Sequence, residues 1–180
     1  IRTNTQIGKN SLTLASVVVQ LAKEEFGSLS SLRVMLVGAG EMIQLIATYF
    51  HQRGVTNFTV ANRTIEKAQS FVESFSAKAI RIGDIPQELP QIDVMVTATA
   101  SQLPIIGKGM VEHVVGLRGG RRLMMVDLAV PRDIESEIGA LEHVDLYNMD
   151  VLQEKITSNQ HSREIAAKQA RAMIAMEAQR

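Results

Sequence analysis

Gly38 and Gly40 in the stretch VMLVGAGEMI, together with Asn62, Arg63, Thr64 and Lys67 further on, are the residues whose types and spacing could do chemistry. A Gly-x-Gly between an apolar run and a helical pattern is the start of a phosphate-binding corner. Its first glycine permits the tight turn and its second lets backbone approach a pyrophosphate. The segment Gly38, Ala39, Gly40, Glu41, Met42, Ile43 would then aim the amides of a helix start, and the positive end of its dipole, at the anion. Ile43 stands where the Gly-x-Gly-x-x-Gly fingerprint has its third glycine, a position that governs helix–strand packing rather than phosphate contact. Taken alone, such a turn is as often an ordinary strand-to-helix corner.

The second strand separates the two readings. A site for NAD usually ends that strand on a carboxylate, about twenty residues past the glycines, for the ribose 2′-hydroxyl; an arginine there accommodates a 2′-phosphate. Here the position reads Asn62-Arg63-Thr64, with Lys67 one turn later. Arg63 can make charge-assisted bonds to a phosphate, and Asn62, Thr64 and Lys67 add donors. The expectation is NADP(H). The alternative makes Thr64 a plain N-cap and Arg63 and Lys67 a solvated face.

Ligands of a doubly wound sheet lie outside the carboxyl ends of its strands. That directs attention to Thr97, Ala98 and Thr99, continuing to Ser101, as a small hydroxyl-rich loop under ribose and phosphates. It also points to Ala129 and Pro131, where a nicotinamide ring would lie. Arg132 and Asp133 read as a surface ion pair, and Arg118, Arg121 and Arg122 as a solvated basic loop. His51, His113, His143 and His161 are scattered, with no metal-ligand spacing and no nucleophile–base arrangement. No catalytic or metal-binding residue is therefore expected.

These residues need a frame that alternates strands with helices. Leu14, Val18, Leu21, Ala22 and Phe26 sit at helical spacing over 11–26, with Asn10 or Ser11 as N-cap and Gly27 as stop. Strand Arg33–Val37 follows, then helix 41–52, strand 58–62, helix 65–75 and strand 78–82. A loop punctuated by Pro86 and Pro90 leads to strand 93–100, helix 107–117, strand 122–130 and a short strand 144–147. The expected class is α/β: a doubly wound, mostly parallel, Rossmann-like sheet with an N-terminal helix and a long C-terminal one. Residues 1–150 read as the NADP(H)-binding domain and 151–180 as the start of a connecting helix. In that helix Leu152, Ile156, Ile165 and Met173 make only a thin apolar stripe.

The 180 residues suffice for one well-cored domain, and 46% hydrophobic with 21% charged residues fits a globular protein. Nineteen basic against 19 acidic residues, and 4% aromatics, make nucleic-acid binding by this stretch a poor fit. No run is long and apolar enough for a membrane span, so a cytoplasmic setting is the default. The absence of cysteine excludes disulfides and a cysteine nucleophile within these residues. A chain opening on Ile1, with helical pattern running unbroken to Arg180, is expected to be an excised fragment.

Across nearly its whole length the chain resembles the NADPH-binding domain of glutamyl-tRNA reductases. The segments that carry the resemblance are TNTQIGKNSLTLASVVVQLAKEEFG, VGAGEMIQLIA, VANRTIEKA, DVMVTATASQLPIIGKGMVE, MMVDLAVPRDIESEIG and VDLYNMDVLQ. The resemblance implies a three-domain enzyme in which this domain lies between a catalytic domain and a dimerisation domain along a spinal helix. It implies that a cysteine outside this stretch forms a thioester from glutamyl-tRNA, which NADPH reduces to glutamate-1-semialdehyde for tetrapyrrole synthesis. It also implies homodimerisation through absent C-terminal helices, a contact with glutamate-1-semialdehyde aminomutase, and no activity for the isolated piece. The glycine turn and ANRT occur in shikimate-dehydrogenase-like domains as well, so such an oxidoreductase and a non-catalytic NADP-sensing module stand as alternatives.

Overall fold

The computed structural model describes residues 2–178; Ile1, Gln179 and Arg180, and with them the two chain ends, lie outside the described residues. Helix α1 (Arg2–Phe26) leads into β1 (Arg33–Val37), α2 (Glu41–Gln52), β2 (Asn57–Asn62), α3 (Ile65–Phe75) and β3 (Lys78–Arg81). The second half runs through α4 (Ile85–Glu88), β4 (Val94–Thr97), α5 (Lys108–Leu117), β5 (Leu123–Asp127), β6 (Val144–Tyr147) and α6 (Met149–Ala178). The six strands form one sheet in the order β3-β2-β1-β4-β5-β6. All five pairings are parallel, as the alternation of strands and helices predicts.

The sheet separates two apolar layers because side chains alternate across a strand. Val34, Leu36, Val60, Val94 and Val96 face α1, α2 and α3, where Val18, Ile46, Phe50 and Phe71 are buried. Met35, Val37, Met95 and Met125 face the other layer with Ile85, Leu89, Val111, Val114 and Ile138. Strands buried on both faces read as unbroken apolar runs, which is the character of LMMV and VMLV. Each such side chain removed from water contributes about 1.5–3 kcal/mol.

Several boundaries differ from those the sequence predicts. Helix α1 begins at Arg2 and passes through Asn10 and Ser11, so neither is an N-cap. The segment 82–91 folds into short helical turns around Pro86 and Pro90 instead of a loop. Strand β4 stops at Thr97 and β5 at Asp127. The cause lies next door: β1 turns away at Gly38 (φ +119), leaving no neighbour to continue the ladder past Ala98, whose amide bonds Val37 O at 3.0 Å.

The basic loop is also different. Arg118 is a buried C-cap of α5, and its guanidinium donates to the carbonyls of Pro90 and Ile92 before β4 and of Arg121 and Arg122 before β5. Arg121 adds a 2.9 Å bond to Pro90 O, while Arg122 reaches Asp145 and Glu25. Backbone carbonyls, invisible in a residue pattern, claim the donors of Arg118 and Arg121, and two carboxylates distant in sequence claim those of Arg122.

Helix α6 is held only at its beginning. Leu152 is fully buried and Ile156 packs on the α1 layer, whereas Ile165 and Met173 of the expected stripe are exposed, with 44% and 66% of their surface open. No helix among the described residues is long and apolar enough to cross a membrane.

Candidate functional site

The strand order reverses between β1 and β4, so the loops leaving them diverge and open a crevice at the carboxyl edge of the sheet. A cleft of about 550 Å³ lies there. Its walls are the turn Gly38, Ala39 and Gly40, the β2 end Asn62, Arg63 and Thr64 with Lys67, Ile82 opposite, and Ala98 to Ser101 after β4.

Gly38 is buried, and a Cβ there would sit 2.7 Å from Ala98 O, so the turn and the β4 loop touch through backbone. Gly40 has open space where a Cβ would stand and caps α2 with no side-chain bond. The first-turn amides of α2 therefore meet the cleft without a competing side-chain oxygen. Ile43 is fully buried, within 3.5 Å of the same Cβ position at Gly38, consistent with a packing role.

At the end of β2, Arg63 and Lys67 are exposed and neither enters an ion pair among the described residues. The Arg63 guanidinium donates across the cleft to Ser101 Oγ at 3.3 Å. Thr64 occupies the N-cap of α3, yet its side chain makes no cap bond. Asn62 Nδ2 donates to Thr64 O at 3.3 Å and fixes this corner.

The other expected residues fall elsewhere. Glu41 is exposed on the first turn of α2, and Met42 is half-buried against the core. Thr97 is buried, with its hydroxyl donating to Asp127. Ala129 and Pro131 line a separate depression of about 320 Å³ with Val130, Arg132, Met149 and Asp150, and the Val130–Pro131 bond is cis.

Asp133 overturns its reading as a surface residue paired with Arg132. Arg132 bonds Asp150 at 3.0 Å, whereas Asp133 is wholly buried and accepts from both the amide and the hydroxyl of Thr99. Beside it, Asp127 accepts from the amides of Ala129, Asp133 and Ile134 at 2.9–3.0 Å. Burial pushes the Asp127 carboxyl up from the usual carboxylate range, and the amides of Ile134 and Ala129 pull it back. No local signal marks Asp133, which stands six residues past the end of β5 beside the exposed Arg132 and whose partner Thr99 is 34 residues away in sequence. His51, His113, His143 and His161 are exposed on different segments.

The family model described as shikimate / quinate 5-dehydrogenase matches residues 20–155. The glutamyl-tRNA reductase of Coxiella burnetii (strain Dugway 5J108-111) is 48% identical over 178 residues, covering 99% of this chain and 43% of that protein. Among solved structures, a glutamyl-tRNA reductase from Methanopyrus kandleri superposes with a TM-score of 0.78 at 33% identity, over 87% of this chain and 39% of that one. The nucleotide-binding domain of the Thermoplasma volcanium glutamyl-tRNA reductase gives 0.65 at 25% identity, over 84% of this chain and 96% of that one. The chain thus spans less than half the length of the curated relatives it matches. With the family model extending from within α1 into α6, and glutamyl-tRNA reductases matching over nearly the whole chain, the chain belongs to the shikimate / quinate 5-dehydrogenase family as a domain of the glutamyl-tRNA reductase type.

Proposed function

We propose that this chain is the NADP(H)-binding domain of a glutamyl-tRNA reductase. In that reading it serves the reduction of a glutamyl thioester, formed from glutamyl-tRNA on another domain, to glutamate-1-semialdehyde for tetrapyrrole synthesis. The observation that carries the cofactor assignment is the pair of cations, Arg63 and Lys67, that enter no ion pair among the described residues and lie on the same cleft as the glycine turn. A site selecting NAD would present a carboxylate at that point.

The donor set fits a phosphorylated dinucleotide. Gly38, Ala39 and Gly40 with the opening amides of α2 (Glu41, Met42, Ile43) would hold the diphosphate. Asn62, Arg63, Thr64 and Lys67 would hold the 2′-phosphate. Thr97, Ala98 and Thr99 on one side, and Ala129 and Pro131 on the other, would bound the nicotinamide end. When bound, the cofactor supplies a hydride; the chain itself supplies grip and orientation. Residues 1–150 form the binding domain in this reading, and 151–180 begin the helix toward further domains and a second subunit. Contact with an aminomutase belongs to the same proposal.

Titrating NADPH and NADH against the chain tests it. NADPH binds more tightly, and Arg63→Ala removes most of that preference; equal losses for both dinucleotides overturn the assignment. The family description favours a second reading, oxidation of a hydroxyl as in shikimate dehydrogenases. NADP+ reduction on adding shikimate to the full-length protein would select that reading instead.

A further inference from the structure

Two loops without regular secondary structure meet at the carboxyl edge of the sheet: 98–107 after β4, whose start lines the cleft across from Arg63, and 128–135 after β5, which lines the separate depression. One residue ties them together. The buried Asp133 takes the Thr99 amide on one carboxylate oxygen at 2.9 Å and the Thr99 hydroxyl on the other. Its main-chain oxygen accepts from Ile105 and Ile106 at 2.8 and 3.0 Å, and its own amide donates to Asp127 at 2.9 Å. Asp127 in turn holds the Ala129 amide at 3.0 Å.

This network bears on the cleft because Ala98, next to Thr99, lies against the glycine turn. Its carbonyl oxygen would be 2.7 Å from a Cβ on Gly38. A shift of the Thr99 backbone would therefore move the wall that faces the diphosphate turn. The cations at the end of β2 stand outside the tether and reach it through the Arg63–Ser101 bond.

We infer that Asp133 is a positioning residue: by gripping Thr99 at two points and anchoring on Asp127, it sets both loops at the nicotinamide end of the cleft. The inference rests on the NADP(H) reading above and adds to it a division of the cleft into halves that fail separately. The two-point grip needs groups that face both the Thr99 amide and its hydroxyl; an asparagine would keep both, accepting from the amide and donating to the hydroxyl oxygen, whereas an alanine keeps neither. Asp133→Ala therefore breaks the grip, and Thr99→Val removes its hydroxyl half together with the bond that the Ser101 amide donates to that hydroxyl at 3.2 Å.

The test compares NADPH with adenosine 2′-monophosphate, which carries the 2′-phosphate end and neither the diphosphate nor the nicotinamide, by calorimetric titration of the 180-residue chain. Expected for Asp133→Ala and Thr99→Val is an NADPH affinity lower by about tenfold, the scale of one hydrogen bond to a charged group. Monophosphate affinity stays that of the parent, and the emission change of NADPH on binding is reduced. Thr99→Ser, which keeps the hydroxyl, restores the NADPH affinity and the emission change. Parallel losses for both ligands, or no loss for either, overturn the inference while leaving the NADP(H) reading intact. A parent chain that binds neither ligand overturns the reading and the inference together. Thermal melts report folding, and if Asp133→Ala does not fold, Thr99→Val decides alone.

Discussion

Two arginines at opposite edges of one sheet show how the same side chain serves two ends. At the amino edge, Arg118 is 2% exposed and its guanidinium donors go to four carbonyls that start β4 and β5. Burial lowers its pKa first and the nearby Arg121 lowers it further, with Asp93 opposing. At the carboxyl edge, Arg63 is exposed and makes one bond, to Ser101. A parallel sheet puts all strand starts at one edge and all strand ends at the other, so an arginine spent on backbone carbonyls and one left exposed fall on opposite edges. The first edge is saturated, and the second keeps donors to spare.

The sharpest way to break this comparison is Arg118→Ala. It leaves a buried cavity and strips several carbonyls of a charged donor, so a loss of about 3 kcal/mol or more is expected in urea unfolding. A loss under 1 kcal/mol, of the surface kind, would erase the contrast with Arg63.

Gly38→Ala comes next, because it strains the carboxyl edge where backbone meets backbone. A Cβ at φ +119 and 2.7 Å from Ala98 O should cost about 2–3 kcal/mol and widen the turn. Gly40→Ala, with open space around it, should change the melting temperature little and serves as its control.

A third test concerns the amino edge again, where Glu25 of α1 meets Asp145 of β6 through Arg122. Burial first, and Asp145 second, raise the Glu25 carboxyl from 4.5 to about 7, against the pull of Arg122. The Asp145 carboxyl is lowered, first by its bond with Glu25 and also by Arg122, so a proton shared between the two sits on Glu25. Glu25 Oε2 is buried with no hydrogen-bond partner, a setting that disfavours the ionised form and that protonation relieves.

The sign follows: between 4.5 and about 7 the folded chain holds a proton that the unfolded chain has released. Stability from this group is full below that window and falls as pH rises through it. Melting temperature should decline across the window, and Glu25→Gln should flatten the decline; an unchanged slope would remove Glu25 from the account. The depressed Asp145 acts at lower pH, where its contribution is lost as pH falls.

The smallest stability effect belongs to Arg63→Ala, within about 0.5 kcal/mol, although the same change should remove most of the preference for NADPH. A chemical-denaturation curve beside the two dinucleotide titrations separates the two outcomes. Substantial destabilisation would mean that Arg63, like Arg118, is spent on the fold.

What the sequence disclosed and what it concealed divide along the same line. Apolar periodicity identifies every strand and the major helices, and it makes Ile43 a packing residue, because burial of aliphatic side chains has a fixed repeat. The residues lining the glycine and Arg63 side of the cleft are legible for a different reason: turn, cation and spacing form a pattern along the chain. Asp133, Arg118 and Glu25 are not legible. Each is a polar residue in a polar neighbourhood whose partners, Thr99, the carbonyl of Pro90 and Asp145, are distant in sequence. Nothing local distinguishes them from the exposed Arg132 or Lys67. Strand ends were overrun at 98–100 and 128–130 because β-propensity does not report when a neighbouring strand has turned away.

Helix α6 has one more implication, a mechanical one. Its seat against α1 reaches as far as Arg163, in a groove shared with Leu12, Ser16 and Val17. Everything from Glu164 to Met176 is exposed. At 1.5 Å per residue the overhang from Arg163 to Ala178 is about 22 Å. Over that arm, an angular difference of about ten degrees at the groove becomes a displacement of about 4 Å at the tip. Side-chain size at Leu12 and Ile156 is thus a gear ratio: small changes in packing at the root set where the far end of the helix points.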